Sequence, residues 1–146
     1  VRVRVGGWPG WLTVSEATER VEETLDRRLR RLAAEGRFEE LERWLERLLE
    51  LRQSGWRRGL FSTDAHLKNF GVVGDRVVLL DSGGLTDRWA EIETRLAPAA
   101  LDVPHTMLGL ETVLRARPDI AARFNERWNQ VVSREGVLRQ WPGEAR

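Results

Sequence analysis

The sequence contains no cysteine. That absence excludes a disulfide scaffold, a zinc site built from thiolates and a cysteine nucleophile. It is compatible with the reducing cytoplasm, where we expect the protein to act. Long apolar runs are also missing, and the first ten residues do not have the composition of a signal peptide. We therefore expect neither a membrane-spanning segment nor a membrane partner.

The chain also lacks an excess of either charge. It has 24 basic and 23 acidic residues, which gives a formal net charge of +1 at neutral pH. A domain that binds nucleic acid usually presents an unbalanced basic face, so this balance argues against such a partner. We expect most arginines to pair with glutamates three or four residues away on helix surfaces.

Lysine is almost absent. Of the 24 Lys and Arg residues only Lys68 is a lysine, which leaves 23 arginines. Lys68 lies in residues 62–69, the densest group of small polar and titratable side chains in the sequence. An ammonium group can contact one phosphate oxygen as a compact point charge, whereas a guanidinium group is a planar fork. The lysine therefore directs attention to this segment, although the arginine bias of the chain can also leave one lysine by chance.

Apolar periodicity predicts an α+β fold for residues 1–146, which form one domain or a piece of a larger one. Alternating valines at 1–5, a glycine-rich segment at 6–10 and a short apolar run at 11–14 predict a first β-hairpin. A second hairpin is predicted at 71–80 around the turn Gly74-Asp75. The rest of the domain is predicted to be mostly helical.

Two amphipathic helices are predicted between the hairpins, the first ending at Gly36 and the second at Gly55. Their apolar positions recur every three or four residues: Val21, Leu25, Leu29 and Leu32, then Phe38, Leu41, Leu45, Leu48 and Leu49. Residues 58–70 lack this period and are predicted to form an irregular polar loop. Three further helices are predicted after the second hairpin, at about 87–97, 104–116 and 119–134, with prolines between them.

The second hairpin should bring Asp81 back beside the polar loop. With a two-residue turn, facing residues have numbers that sum to 149 and Asp81 faces Lys68; with a three-residue turn the sum is 150 and it faces Asn69. Facing residues lie about 5 Å apart in either case. Asp81 and Asn69 would offer hard oxygen donors suited to Mg²⁺, and Asp64 could orient or deprotonate a hydroxyl group.

These residues resemble a known catalytic pattern. Asp64, then Asn69 five residues later, then Asp81-Ser82-Gly83 after twelve more are similar to the catalytic loop and metal-binding segment of the protein-kinase-like superfamily. The sequence around Asp64, residues 63–70, most resembles that of HipA-type kinases. The histidine two residues after Asp64 also resembles one found in aminoglycoside and choline phosphotransferases.

The resemblance implies an ATP- and Mg²⁺-dependent phosphotransferase with a hydroxyl-bearing acceptor. It makes Asp64 the catalytic base and gives Asn69 and Asp81 the metal ions on the nucleotide phosphates. His66 falls where eukaryotic protein kinases place a lysine near the transferred phosphate, and Lys68 takes a secondary electrostatic role at a HipA-like position. The fold implied is a carboxy-terminal kinase lobe (15–146) preceded by a hairpin remnant of the amino-terminal lobe (1–14).

The sequence departs from that family at several positions. Ser62 stands where a histidine is usual, and Ser82 replaces an aromatic residue. No second lysine is available to contact the α- and β-phosphates of ATP. We therefore expect the chain to be completed by an amino-terminal lobe or by a partner chain that supplies one.

Two other interpretations remain open. The chain could be a non-catalytic, pseudokinase-like regulatory or protein-interaction module, or an unrelated α+β interaction domain. In the second case Asp64 and Asp81 would be ordinary turn and cap residues, and His66 would bond a loop carbonyl. His105, the second histidine, is more consistent with a structural role, so a zinc site has little support.

Overall fold

The computed structural model describes residues 2–3, 12–13, 21–63, 66–96 and 110–143. Helices dominate this part of the chain, and short antiparallel strands join them, which confirms the α+β class. The strands are β1 (Arg2–Val3), β2 (Leu12–Thr13), β3 (Glu23–Thr24), β4 (Phe61–Ser62), β5 (Phe70–Val73), β6 (Arg76–Leu79) and β7 (Leu85–Thr86). The helices are α1 (Leu25–Ala34), α2 (Phe38–Arg57), α3 (Trp89–Arg95), α4 (Leu110–Val113), α5 (Pro118–Val131) and α6 (Arg134–Leu138). One 3-10 turn, Leu67–Asn69, precedes β5.

The strands form three small antiparallel sheets in the described part of the chain. β1 pairs with β2, as the first predicted hairpin requires, although its glycine-rich turn lies outside the described residues. β5 lies between β3 and β6 in the only three-stranded sheet seen there. β4 pairs with β7, so the strands on either side of the second hairpin are joined to each other.

α1 begins later than its apolar pattern predicts. Thr24 caps the helix by accepting a hydrogen bond from the backbone N–H of Arg27 at 3.2 Å. Val21 therefore lies outside the helix, and β3 pairs with β5 instead of forming a first helical turn. The predicted end is correct, because Gly36 follows the last helical residues with a positive φ of 70°.

α2 continues past the end predicted at Gly55. The helix reaches Arg57, and Gly59 has a positive φ of 75°. The amide of Gly59 donates to the carbonyl of Trp56 at 2.9 Å, and that of Leu60 donates to Gly55 at 2.9 Å. This pair of bonds is a Schellman motif, so the glycine that ends the helix is Gly59.

Among the described residues from Leu25 onward, an apolar cluster connects the helices to β4, β5 and β6. Leucines of α1 and α2 pack with β5 and with the helices that follow β7. Its fully buried members include Leu25, Leu29, Leu32, Leu41, Leu48, Trp56, Phe70, Val72 and Ile92. The predicted helices at 87–97 and 119–134 correspond to α3 and α5. α4 covers part of the predicted helix at 104–116, whose residues before Leu110 are not described. α6 was not predicted.

Candidate functional site

The second hairpin has the register that a two-residue turn produces. Phe70 faces Leu79 and Val73 faces Arg76, so the numbers of facing residues sum to 149. Gly74, with a φ of 60°, occupies the first turn position, whereas Asp75 has no positive φ. This combination is typical of a type II′ turn, which matches the twist of an antiparallel pair. The alternative of a three-residue turn is therefore wrong.

The hairpin ladder continues to the first candidate metal ligand. The amide of Leu80 donates to the backbone carbonyl of Asn69 at 2.7 Å, so Asp81 is the next residue along the returning strand. Asn69 also closes the 3-10 turn, since its amide donates to the carbonyl of His66 at 2.9 Å. His66, Lys68 and Asn69 thus lie in one short turn, and that turn is hydrogen-bonded to Leu80, the residue before Asp81.

The other end of the polar loop is paired with β7, the strand that follows the Asp81 segment. Ser62 of β4 faces Leu85 of β7. One residue further, Thr63 donates to the carbonyl of Gly84 twice, from its amide at 2.8 Å and from its hydroxyl at 2.9 Å. The candidate loop (residues 62–69) is therefore hydrogen-bonded, near both of its ends, to residues on either side of the Asp81 segment (residues 81–84): to Leu80 just before it and to Gly84 at its end.

Asp81 is exposed and has a defined local geometry. Its Oδ1 accepts a hydrogen bond from the amide of Gly83 at 2.8 Å, which forms a tight turn between the two residues. A Cβ on Gly83 would lie 3.1 Å from that oxygen, so the turn favours a residue with no side chain. A carboxylate has about four acceptor positions, so Asp81 retains capacity for a cation.

The remaining predicted residues differ in exposure. His66 and Asn69 are half-buried and Lys68 is exposed. Asp64, the predicted catalytic base, lies outside the described residues, as do the glycine-rich turn of the first hairpin and His105. The described part therefore brings His66, Lys68, Asn69 and Asp81 into one region of the fold and leaves the position of Asp64 as a prediction.

An apolar surface beside this region was not predicted. Gly71 of β5 lies under two aliphatic side chains: a Cβ there would be 2.8 Å from Cγ1 of Val21 and 2.9 Å from Cδ2 of Leu80. Both side chains are half-buried. The signal in the sequence was the glycine itself, because a glycine inside a strand marks a close approach by other groups.

A buried arginine lies behind the candidate loop. Arg52 of α2 is 6% exposed, and its Nη1 donates to the carbonyl of Ser62 at 3.2 Å. Its guanidinium carbon lies 5.0 Å from the ring centroid of Phe61 and 5.7 Å from that of Trp128. Burial lowers the pKa of Arg52 to about 10, so the group is still charged at neutral pH. Helical periodicity could have found it, since Arg52 falls on the apolar face of α2.

The described residues lack two features that would indicate other functions. They contain no group of three or more His, Cys, Asp or Glu side chains placed to hold a metal ion. No helix there combines the length and the apolar character that crossing a membrane requires.

Comparison with protein-family models, with curated proteins and with solved structures found no match to this chain. The candidate site is therefore defined by its own geometry.

Proposed function

We propose that the chain is the carboxy-terminal lobe of an ATP- and Mg²⁺-dependent phosphotransferase that acts on a hydroxyl-bearing acceptor. One observation carries the proposal: hydrogen bonds from Thr63 to Gly84 and from Leu80 to Asn69 join both ends of the candidate loop to the connection between β6 and β7 that contains Asp81. Polar residues that are twelve or more positions apart in sequence are thereby concentrated in one region. Such an enzyme would work in the cytoplasm, as the lack of cysteine led us to expect.

Asn69 and Asp81 are the residues that would hold Mg²⁺. The donor set suits this ion, because Mg²⁺ usually takes only one or two protein ligands and fills its other positions with water and phosphate oxygens. A site of this kind needs no cluster of three acidic or histidine side chains. The ion, when bound, supplies positive charge to the phosphate chain of the nucleotide.

The loop between these anchors would position the acceptor. In this proposal Asp64 orients the acceptor hydroxyl and accepts its proton, which is the role that the resemblance gives it. Lys68 is exposed and its ammonium group adds positive potential for phosphate oxygens. His66, at the start of the 3-10 turn, provides a ring N–H donor on the same segment.

The apolar surface of Val21, Gly71 and Leu80 would accept the base of the nucleotide. A flat aromatic ring packs best on a smooth apolar surface. Because Gly71 has no side chain, those of Val21 and Leu80 lie close against the strand backbone and can form such a surface. The surface lies on the hairpin that also leads to Asn69 and Asp81. This arrangement matches the order of parts in a nucleotide, in which the base and the phosphates are joined through the sugar.

Binding of ATP would still need groups that Lys68 cannot provide. As the only lysine it belongs to the loop, so the α- and β-phosphates must be contacted by an amino-terminal lobe or a partner chain. The alternative is a non-catalytic module that keeps this architecture for regulation or protein binding. The replacement of the usual histidine and aromatic residue by Ser62 and Ser82 favours that alternative.

Binding of MgATP tests the proposal. An NMR-monitored titration should show binding that requires magnesium, with a dissociation constant of about 1 mM, at the weak end for enzyme substrates. Asp81→Asn should weaken the magnesium-dependent part at least about tenfold, since it removes a charged ligand. Asp75→Asn is the matched control, because Asp75 is an exposed aspartate of the same hairpin that lies in the turn.

Equal loss of binding in Asp81→Asn and Asp75→Asn would show that the loss comes from a general change in the hairpin and not from removal of a metal ligand. If no magnesium-dependent binding occurs even when a complete amino-terminal lobe is joined to the chain, the catalytic proposal fails. The non-catalytic module then takes its place.

A further inference from the structure

The backbone of β4 leaves one carbonyl without a partner in its sheet. Alternate residues of an antiparallel strand direct their N–H and C=O groups toward the same neighbour. The amide of Thr63 points toward β7, where it donates to Gly84, the residue that precedes that strand. The carbonyl of Ser62, one residue earlier, therefore points to the opposite side of β4. Ser62 is buried, and a buried carbonyl with no hydrogen bond destabilises the fold.

Arg52 provides the missing donor. Its Nη1 bonds the Ser62 carbonyl at 3.2 Å, while Nε has no hydrogen-bond partner among the described residues. The guanidinium plane is held by the rings of Phe61 and Trp128. A buried charge is costly, and an apolar residue of similar volume could fill the same space at a lower cost. Packing alone therefore does not account for an arginine at this position.

We propose that Arg52 is a positioning residue for the candidate loop. Arg52 donates to the Ser62 carbonyl on the side of β4 that faces away from β7, and so keeps β4 in place beside β7. Thr63 then stays hydrogen-bonded to Gly84 at the point where the loop begins. The loop residue that follows Thr63 is Asp64, the predicted catalytic base. The role of Arg52 in catalysis rests on the proposed function, whereas its role in holding β4 does not.

Hydrogen exchange of the Thr63 amide measures this role directly. In Arg52→Met the Ser62 carbonyl, which faces away from β7, loses its partner and regains one from water only when β4 moves away from α2. Opening of β4, which also breaks the bond from the Thr63 amide to Gly84, therefore becomes more favourable. We expect Thr63 exchange to be at least about tenfold faster. The amides of Leu80 and Glu22, which bond Asn69 and Val72, should change less than about threefold.

Two further variants separate positioning from general stability. Arg52→Lys keeps a charged donor and should restore Thr63 protection to within about threefold of the wild type. Leu41→Ala removes a fully buried side chain eleven residues earlier in α2, about 16 Å along the helix axis, and should accelerate all three amides alike. If Arg52→Met does not fold, Arg52→Gln replaces it, because its shorter side chain does not reach Ser62.

The outcomes distinguish this proposal from the proposed function. Uniform acceleration of all three amides in the Arg52 variant, or no acceleration at Thr63, overturns the positioning role whether or not the chain binds MgATP. A selective effect at Thr63 supports it even if MgATP binding fails in the wild type. In a chain that does bind, the amide shifts that MgATP causes at Thr63 should be lost in Arg52→Met and retained in Arg52→Lys.

Discussion

Gly71 lies beneath Val21 and Leu80 in a strand whose other members have large apolar side chains. The two aliphatic groups approach so closely that a methyl group could enter only if they moved apart. At this scale one missing side chain determines the shape of the apolar surface that we assign to the nucleotide base. The same strand begins directly after Asn69.

Gly71→Ala should therefore lower the free energy of unfolding by about 1–3 kcal/mol, the usual cost of adding a methylene to a filled space. Val21→Ala removes the nearer of the two obstructing side chains. Denaturation of both single variants and the double variant should reveal a favourable coupling of about 0.5 kcal/mol or more. Additive effects would show that Val21 does not restrict this position.

Glu23 connects the start of α1 with the hairpin sheet. Its carboxylate, only 13% exposed, accepts hydrogen bonds from Arg28 and, at 2.8 Å, from Arg31. Burial opposes ionisation, but the hydrogen bonds and charges of Arg31 and Arg28 outweigh it, and the pKa of Glu23 falls below its ordinary value of 4.5. The ionised form is thus favoured in the folded protein.

A depressed carboxyl pKa stabilises the fold above the unfolded-state value, and this stabilisation is lost as the pH falls through the folded-state value. Glu23→Gln should lower the free energy of unfolding by about 1–3 kcal/mol at pH 7. The difference from the wild type should shrink below a pH of about 4.5. Urea denaturation at pH 7 and pH 3 checks this, and a difference that is independent of pH would contradict it.

At the scale of elements, two glycines with positive φ end the two long helices. Gly36 has a φ of 70° and no atom within 4 Å of a Cβ placed there. Gly59 has a φ of 75°, and the same Cβ would lie 3.3 Å from Cγ of Pro142 in the carboxy-terminal segment. Gly59 is therefore required for two reasons: its positive φ, as at Gly36, and the close packing of Pro142 against it.

Gly36→Ala should cost about 1–2 kcal/mol of stability, the penalty for a side chain in the left-handed region. Gly59→Ala should cost more, because Pro142 must also move. Adding Pro142→Ala to each variant isolates that contribution in thermal denaturation experiments. It should reduce the cost of Gly59→Ala and leave that of Gly36→Ala unchanged. Equal costs in both backgrounds would contradict a contact between Gly59 and Pro142.

Local chemistry explains which elements the sequence could predict. The type II′ turn at Gly74-Asp75 and the cap at Gly36 depend on residues adjacent to them, so the hairpin register and the end of α1 followed from the pattern. β3 and β4 have two residues each and form only by pairing with distant strands. Gly55 was misread because a glycine within the last helical turns has the same local signal as the one that ends the helix.

The same distinction, between features with a local signal and features that depend on distant parts of the chain, applies to the candidate site. His66, Lys68, Asn69 and Asp81 could be proposed as site residues because their types and spacing resemble a family. Arg52 could not be assigned a role, since its partner is a backbone carbonyl exposed by strand pairing. The apolar surface around Gly71 likewise required the position of Val21, which the helical period had placed in α1.

At the scale of the whole molecule, the shared core fixes the elements and the exposed ion pairs add little. Arg123 pairs with Glu42 at 2.7 Å and Arg127 with Glu46 at 2.9 Å between α5 and α2. All four side chains are between 41% and 59% exposed, so water screens each pair and neither adds much to the stability. The leucines of α1 and α2, buried against β5, carry most of the stability that holds the loop anchors in place.

The central claim is that a nucleotide-bound metal ion lies between the candidate loop and the Asp81 segment. Mn²⁺ takes the same hard oxygen ligands as Mg²⁺ and broadens the NMR signals of nearby amides. With ATP present, Mn²⁺ should broaden the amides of Asn69 and Asp81 first and leave unaffected those of Gly36, at the end of α1, and Arg127, which pairs with Glu46. Asp81→Asn should abolish the effect. Broadening that spreads over the exposed acidic surface, or that persists in Asp81→Asn, would contradict the claim.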